Sequence, residues 1–175
     1  MDRPVFLEGD LVELRPLDTD DAPFLQTLVN DPRVRFRLGA YEPFTHSQEV
    51  EWIEQRDESD EVHLLITADD ERVGIIGYTP KHQAWGVVEA GYFVDPDHWG
   101  YGYATDALEC LCGYAFDERR LHKVAAEVFE TNEASRRVLE KVGFVEEGRY
   151  RDEAFIDGSY VDVLRYGLLA DEHEG

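Results

Sequence analysis

Hydrophobic residues recur along the chain with two periods, one typical of helices and one typical of strands. Strand-like runs alternate in polarity and are bounded by turn residues, as at Asp69, Asp70 and Glu71. A hairpin is predicted where two long runs meet at Asp157 and Gly158. The predicted strands cover residues 11–15, 62–68, 73–78, 87–94, 124–129, 144–155 and 160–169.

Four helices are predicted from capping residues that precede apolar positions at helical spacing. They begin at residue 18 or 19, at 45, at 104 and at 131 or 132, and Gly143 ends the last one. The third helix packs by one face and leaves Asp106, Glu109 and Glu118 toward water. The order is one strand, two helices, three strands, helix, strand, helix and two strands. It predicts an α/β fold with a mixed, mostly antiparallel central sheet and helices on both faces.

Composition limits the kind of protein that this pattern can build. The length of 175 residues predicts one domain over residues 1–175 with a single core. No run is long enough to span a bilayer and no secretory leader is recognisable, so a cytoplasmic protein without a membrane partner is expected. The only cysteines, Cys110 and Cys112, lie on different faces of one predicted helix, which indicates neither a disulfide nor a metal site.

The charge is strongly acidic, with 39 Asp and Glu residues against 17 Lys and Arg and a formal net charge of −22. Nucleic-acid binding needs clustered basic residues, so DNA and RNA are poor candidate partners. Two interpretations of the acid excess stay open, namely adaptation to a salty cytoplasm and attraction of a cationic substrate.

The segment from Asp95 to Thr105 carries the clearest chemical signal. A predicted strand leads into a turn containing Gly100 and Gly102, and a helix follows at once. The first N–H groups of a helix have no intrahelical partner, and small residues let a phosphate approach them closely. The segment therefore predicts a phosphorylated cofactor. A dinucleotide-binding module does not fit, because the third glycine of that fingerprint and its βαβ setting are absent.

These features, taken together, resemble the GNAT N-acetyltransferase superfamily, and more closely its ribosomal-protein N-terminal acetyltransferase branch. The resemblance covers nearly the whole chain. It rests on Leu14–Leu17, Gly91–Val94, Trp99–Ala104, Asn132–Phe144 and Arg151–Asp162.

The resemblance implies acetyl-CoA as the acetyl donor and no metal. Backbone N–H groups of residues 99–104 would hold the pyrophosphate, and the pantetheine arm would lie beside Phe93 and Val94 like an added strand. Tyr101 stands where the superfamily commonly has a lysine, which removes one charged phosphate contact. The implied cofactor-binding residues are Phe93, Val94, Trp99, Gly100, Tyr101, Gly102, Tyr103, Ala104, Thr105, Asn132 and Ser135.

Two residues are candidates for catalysis. Glu89 matches an acid that the branch carries before its Gly-Tyr pair, and we take it as the general base, with orientation of the substrate as the alternative role. Many superfamily members use a tyrosine where this chain has Leu139. Ser135 is therefore the candidate that hydrogen-bonds the CoA sulfur or protonates it, and ordinary polarity of a first helical turn is its alternative explanation.

The acceptor is expected to be a primary amine attacked in a ternary complex. Reaching the neutral form at pH 7 costs an α-amine about 1 kcal/mol and a lysine-like amine about 4.6 kcal/mol, which favours a protein N-terminus. A polyamine, amino acid or aminoglycoside is the nearest alternative, and a non-catalytic acyl-CoA-binding protein is a third. The loop expected over residues 33–44 and the final hairpin would build the acceptor pocket, which would be lined by Arg35, Arg37, Tyr41 and Trp52. A homodimer paired through sheet edges is compatible with this fold.

Overall fold

The computed structural model describes residues 3–56 and 60–173, and it is organised around one eight-stranded mixed sheet. The strands lie in the order β1-β2-β3-β4-β5-β6-β8-β7, and every neighbouring pair is antiparallel except β5 with β6. The predicted α/β class and the mostly antiparallel sheet are confirmed. The strands are β1 (Leu7–Glu8), β2 (Glu13–Pro16), β3 (Val62–Ala68), β4 (Glu71–His82), β5 (Val87–Val94), β6 (Lys123–Phe129), β7 (Val145–Ile156) and β8 (Ser159–Leu169).

The helices begin and end where local residues satisfy their free backbone groups. Thr45 and Gln48 form the predicted capping box, Asn132 accepts the N–H of Ser135, and Gly143 takes a left-handed φ of 101° at the end of the last helix. The helices are α1 (Ala22–Asn30), α2 (Pro32–Leu38), α3 (His46–Gln55), α4 (Tyr103–Gly113) and α5 (Glu133–Val142). A π-helical turn, Tyr114–Glu118, extends α4.

Helix α2 corrects the prediction that residues 33–44 form a loop. Asp31 accepts the N–H of Arg33, Pro32 occupies the first turn, and Gly39 ends the helix with a φ of 67°. Only Val34 is buried in this helix. The repeat of apolar residues every three or four positions, from which longer helices are predicted, is therefore missing. The prediction was therefore wrong for the first part of that segment.

Asp106 also departs from prediction, because it is buried rather than directed toward water. Its carboxylate accepts hydrogen bonds from the backbone N–H groups of Asp10, Leu11 and Val12, at 3.1, 2.7 and 2.9 Å. Three donors compensate the loss of hydration that burial imposes on a charge. Asp106 thereby ties the N-terminal segment to the first turns of α4.

The core has two layers because strand side chains alternate between the faces of the sheet. Leu65 and Ile75 pack with α1 and α3 on one face. Ile66 and Ile76 face the other side, where the larger core contains residues of α4 and α5. The predicted placement of helices on both faces is confirmed.

Strands β5 and β6 separate shortly after they meet. Their parallel pairing joins only residues 87–89 to residues 123–125. Beyond Glu89 the facing edges of the two strands have no ladder between them, which opens a cleft within the sheet.

Two features are absent from residues 3–56 and 60–173. No helix there is both long and apolar enough to cross a bilayer. No group of three His, Cys, Asp or Glu side chains in the same ranges is placed to hold a metal ion.

Candidate active site

The separation of β5 and β6 opens a cavity of about 630 Å³. Residues 90–94 of β5 form one wall and residues 126–129 of β6 form the other. The turn before α4 and the first turn of α5 border its mouth. A single cleft thus runs from the point where the two strands part to the glycine turn.

Ten of the eleven residues predicted to bind a cofactor line this cavity. The exception is Tyr101, whose exposed ring stacks on Tyr103 with the ring centroids 5.6 Å apart. Residues far apart in sequence are therefore brought together as the resemblance implies. The ten are Phe93, Val94, Trp99, Gly100, Gly102, Tyr103, Ala104, Thr105, Asn132 and Ser135.

The glycine turn has the backbone geometry of an anion cradle. Gly100 and Gly102 take left-handed φ values of 85° and 89°, which side chains other than glycine rarely adopt. Gly102 is the N-cap of α4 and contributes no capping side chain, so the first amides of α4 face the cavity mouth without a local acceptor from the cap. A diphosphate fits the chemistry of such a turn.

The backbone amide of Trp99 is the first of the amides predicted to bind phosphate, and it already has a partner within the protein. Its backbone N–H donates to the carbonyl oxygen of Pro96 at 3.3 Å, and its indole Nε1 donates to the carbonyl oxygen of Val94 at 2.8 Å. Both donors of Trp99 are thus used within the protein. The amides open to a phosphate begin at Gly100.

Arg37 lies at the cavity mouth, on the side expected for the cofactor. Its guanidinium stands over the Trp99 ring, 4.5 Å from the centroid, and Nη1 donates to Oδ1 of Asn132 at 2.8 Å. Arg137 and Lys141 of α5 also line the cavity. These three cations supply positive charge near the turn where Tyr101 replaces the usual lysine. The sequence analysis assigned none of them to the cofactor.

A pair of hydroxyl groups lies inside the cavity. The phenol oxygen of Tyr92 is 2.9 Å from Oγ of Ser135 and 3.3 Å from the Ser135 carbonyl oxygen, and its one hydrogen can be donated to either. Burial raises the pKa of Tyr92 to about 12. Tyr92 lies within Gly91–Val94, one of the segments that carry the family resemblance, and the sequence analysis assigned it no role.

Glu89 belongs to a cluster of four charges where β5 and β6 part. Lys81 forms ion pairs with both Glu89 and Glu127, and Arg165 Nη1 lies 3.9 Å from Glu89 and 3.5 Å from Glu127. The Glu89 side chain is 31% exposed. Glu127 is among the residues that line the cavity and Glu89 is not, so Glu127 is a functional candidate that sequence reasoning missed.

The remaining predicted acceptor residues lie in different places. Tyr41 is exposed, and its hydroxyl donates to the carbonyl oxygen of Phe155 in the hairpin of β7 and β8. Trp52 packs edge to face against His63, with the ring centroids 5.0 Å apart, and is not among the cavity residues. Neither Tyr41 nor Trp52 is among the residues that line the cavity, so their predicted acceptor roles stay predictions.

Comparison with known proteins agrees with this geometry. A family model described as an acetyltransferase (GNAT) domain matches residues 12–145. The N-acetyltransferase p20 of Bacillus licheniformis is 30% identical over 97% of this chain and 98% of its own length. A Bacillus subtilis protein named as a ribosomal N-acetyltransferase, YdaF, is 34% identical over 71% of this chain and 68% of its own.

Solved structures share the fold. A spermidine N-acetyltransferase from Vibrio cholerae, in complex with CoA and spermine, superposes with a TM-score of 0.86 at 24% identity, covering 94% of this chain and 98% of that one. RimJ from Mycobacterium smegmatis, in complex with CoA-disulfide, gives a TM-score of 0.79 at 27% identity, covering 97% and 87%. The cleft, the glycine turn and these matches together make the chain a member of the GNAT family of N-acetyltransferases.

Proposed function

We propose that the protein transfers the acetyl group of acetyl-CoA to a primary amine, with a protein N-terminal α-amine as the favoured acceptor. The attack is direct, within a ternary complex. The observation that carries the proposal is the continuity of the β5–β6 cleft with the glycine turn. In this arrangement the amides from Gly100 to Ala104 bind the pyrophosphate, and the pantetheine arm follows the open edge of β5 past Phe93 and Val94.

The catalytic roles fall to Glu89, where β5 and β6 part, and to Ser135 in the first turn of α5. Glu89 takes a proton from the attacking nitrogen, directly or through water, and Ser135 contacts the CoA sulfur. Lys81 and Arg165 Nη1 both lie within ion-pair distance of the Glu89 carboxylate. Holding amine and thioester together supplies a large part of the rate enhancement.

The balance of charge supports an α-amine over a polyamine. Two carboxylates, Glu89 and Glu127, face two cations, Lys81 and Arg165, so the cluster is compensated. Recognition of a multiply charged polyamine calls for carboxylates without such partners. Converting an α-amine to its neutral form at pH 7 also costs only about 1 kcal/mol.

A small polyamine is the second candidate. The fold neighbour from Vibrio cholerae is a spermidine N-acetyltransferase, and the net charge of −22 attracts cations over long range. Tests of the acceptor therefore include both chemical classes.

An acceptor panel tests the proposal. Purified protein and acetyl-CoA are incubated with peptides bearing a free α-amine, the same peptides blocked at the α-amine but carrying lysine, spermidine, amino acids and an aminoglycoside. CoA release is followed, and mass spectrometry locates the acetyl group. We expect α-acetylated peptide as the preferred product. Acetylspermidine without any α-acetyl product would establish the second candidate, and CoA binding without thiol release from any amine would indicate a non-catalytic protein.

The role of Glu89 has its own test. We expect Glu89→Gln to lower kcat by about 100-fold to 10,000-fold, the range for loss of a general base. Glu147→Gln is the matched control, because Glu147 pairs with Lys123 outside the cavity. Near-normal turnover in Glu89→Gln with a large loss in Glu127→Gln would assign the base to Glu127.

A further inference from the structure

Tyr92 and Ser135 place two hydroxyl groups against each other between β5 and α5. The oxygens are 2.9 Å apart, and both residues line the cavity. Leu139, one turn further along α5, is fully buried and has no polar atom to offer. The hydroxyl pair therefore offers this wall a hydrogen-bonding group that Leu139 cannot supply.

The phenol of Tyr92 has one hydrogen and two neighbouring acceptors on Ser135. Oγ lies 2.9 Å from the phenol oxygen and the carbonyl oxygen lies 3.3 Å from it, so Oγ is the closer acceptor. A serine hydroxyl carries one hydrogen and two lone pairs. When Tyr92 donates to Oγ of Ser135, the hydrogen of the serine hydroxyl is left free for an atom in the cavity.

Tyr92 serves as a hydrogen-bond donor and not as an acid. Burial raises the pKa of Tyr92 to about 12, whereas an ordinary thiol titrates near 8.5. A proton therefore stays on the phenol in preference to a thiolate. What the phenol contributes is the orientation and polarisation of the Ser135 hydroxyl.

We propose that Tyr92 is a positioning residue that fixes the Ser135 hydroxyl so that it donates a hydrogen bond to the sulfur of the departing CoA. This inference rests on the proposed function, because it needs acetyl-CoA in the β5–β6 cleft. The lone pair of the amine nitrogen forms the new C–N bond, and the C–S bond breaks with its electron pair moving to sulfur. Glu89 takes the nitrogen proton, and the thiolate receives a proton from water after release. The Ser135 hydrogen bond stabilises the negative sulfur meanwhile.

The first test needs no acceptor. CoA is titrated while bound to the wild type, Tyr92→Phe, Ser135→Ala and Tyr78→Phe, and the ultraviolet absorbance of its thiolate is followed. Tyr78 is the matched control, because it is buried on neighbouring β4 and its hydroxyl has no hydrogen-bond partner among the described residues. We expect the pKa of the bound CoA thiol to be about one pH unit higher in Tyr92→Phe and in Ser135→Ala than in the wild type, and unchanged in Tyr78→Phe.

The second test uses turnover with two donors. With acetyl-CoA, Tyr92→Phe is expected to lower kcat by about tenfold to a hundredfold, with the KM for acetyl-CoA within about twofold. With the selenium analogue of acetyl-CoA the departing selenolate is a more stable anion than the thiolate. The loss of kcat in Tyr92→Phe is therefore expected to be smaller with this donor. A defect caused by altered folding would be the same with both donors, and thermal unfolding of each variant checks the fold directly.

The outcomes separate the two proposals. A wild-type thiol pKa in both Tyr92→Phe and Ser135→Ala overturns this inference even if the enzyme acetylates every amine tried. An unchanged thiol pKa in Tyr92→Phe with a shift in Ser135→Ala also overturns it, since Ser135 then acts without Tyr92. Failure of CoA to bind the wild type overturns both proposals. If Tyr92→Phe does not fold, the Ser135→Ala titration decides, and absence of a shift there contradicts the proposal.

Discussion

The guanidinium of Arg37 lies over the ring of Trp99, 4.5 Å from its centroid, and joins α2 to the turn that precedes α4. The same guanidinium donates to Asn132 Oδ1, so one side chain reaches both borders of the cavity mouth. Cations over an indole are favoured, and an arginine held in this way needs little further ordering to contact a phosphate. We therefore propose that Arg37 contacts the donor, whereas the sequence predicted a place in the acceptor pocket.

We expect Arg37→Ala to raise the KM for acetyl-CoA about tenfold while kcat changes less than about twofold, since a phosphate contact is made equally in ground state and transition state. Arg35→Ala is the control, because Arg35 stands over Phe36 in the same helix and is not a cavity residue. Steady-state kinetics with acetyl-CoA and acceptor varied in turn measure the effect. A rise in the acceptor KM alone would restore the assignment predicted from sequence.

Gly100 and Gly158 offer a matched pair for testing the anion cradle. Their φ values are 85° and 83°, and a Cβ added at either would meet nothing within 4 Å. Gly100→Ala and Gly158→Ala should each cost about 1 kcal/mol of unfolding free energy from left-handed strain. Only Gly100→Ala should also weaken CoA binding, about tenfold, as measured by calorimetry. Equal CoA affinities would contradict the cradle.

Replacement of Asp106 tests how tightly the N-terminal segment is held. Asp106→Asn places an amide group among three backbone N–H donors, where a carboxylate accepted them all. We expect a loss of about 2 to 4 kcal/mol in the free energy of unfolding, measured with urea. The control is Glu109→Gln, at an exposed position of the same helix. A loss no larger than that of the control would mean that these hydrogen bonds contribute little.

His63 predicts a specific dependence of stability on pH. Burial, and then the charge of Arg56, lower its pKa from 6.5 to about 4. Between these values the unfolded chain binds a proton that the folded protein does not, so this contribution is full above pH 6.5 and is lost as pH falls toward 4. The loss amounts to at most about 3 kcal/mol.

The measurement for His63 is the difference in unfolding free energy between the wild type and His63→Phe, followed from pH 7 to pH 4.5. Phenylalanine retains a ring against Trp52 and does not titrate. We expect the wild type to lose more stability than the variant across this range. Parallel curves would mean that His63 is protonated in the folded protein as readily as in the unfolded chain.

Features that depend on neighbours in sequence were predictable. Thr45, Asn132 and Gly143 act on backbone groups within a few residues, so their caps and the adjoining helices could be inferred directly. The strands of the central meander, Val62–Ala68 and Val87–Val94, also have the predicted bounds, because their apolar runs are continuous.

Features that depend on distant partners were not predictable. Asp106 is satisfied by amides about 95 residues earlier in the chain, so its helical spacing alone suggested exposure. Glu127 gains its place in the charge cluster from Lys81 and Arg165, which reach it from two other strands. The role of Tyr92 likewise depends on a contact with another element, since its partner Ser135 lies on α5. The local pattern around each of these residues is compatible with more than one role.

The hydrogen bonds of Asp106 have a practical consequence for handling the protein. Residues 10–12 are anchored to α4, and a Cβ added at Gly102 would lie 3.2 Å from Leu11 Cδ1, so a bulky label attached within residues 10–12 would stand beside the glycine turn. The end of β8 lies away from the cavity. Its last residue, Leu169, pairs with Lys123 at one end of β6, whereas Phe129 at the other end of β6 borders the cavity. Attachment through the carboxyl-terminal side is therefore the choice that leaves the entrance clear for binding measurements.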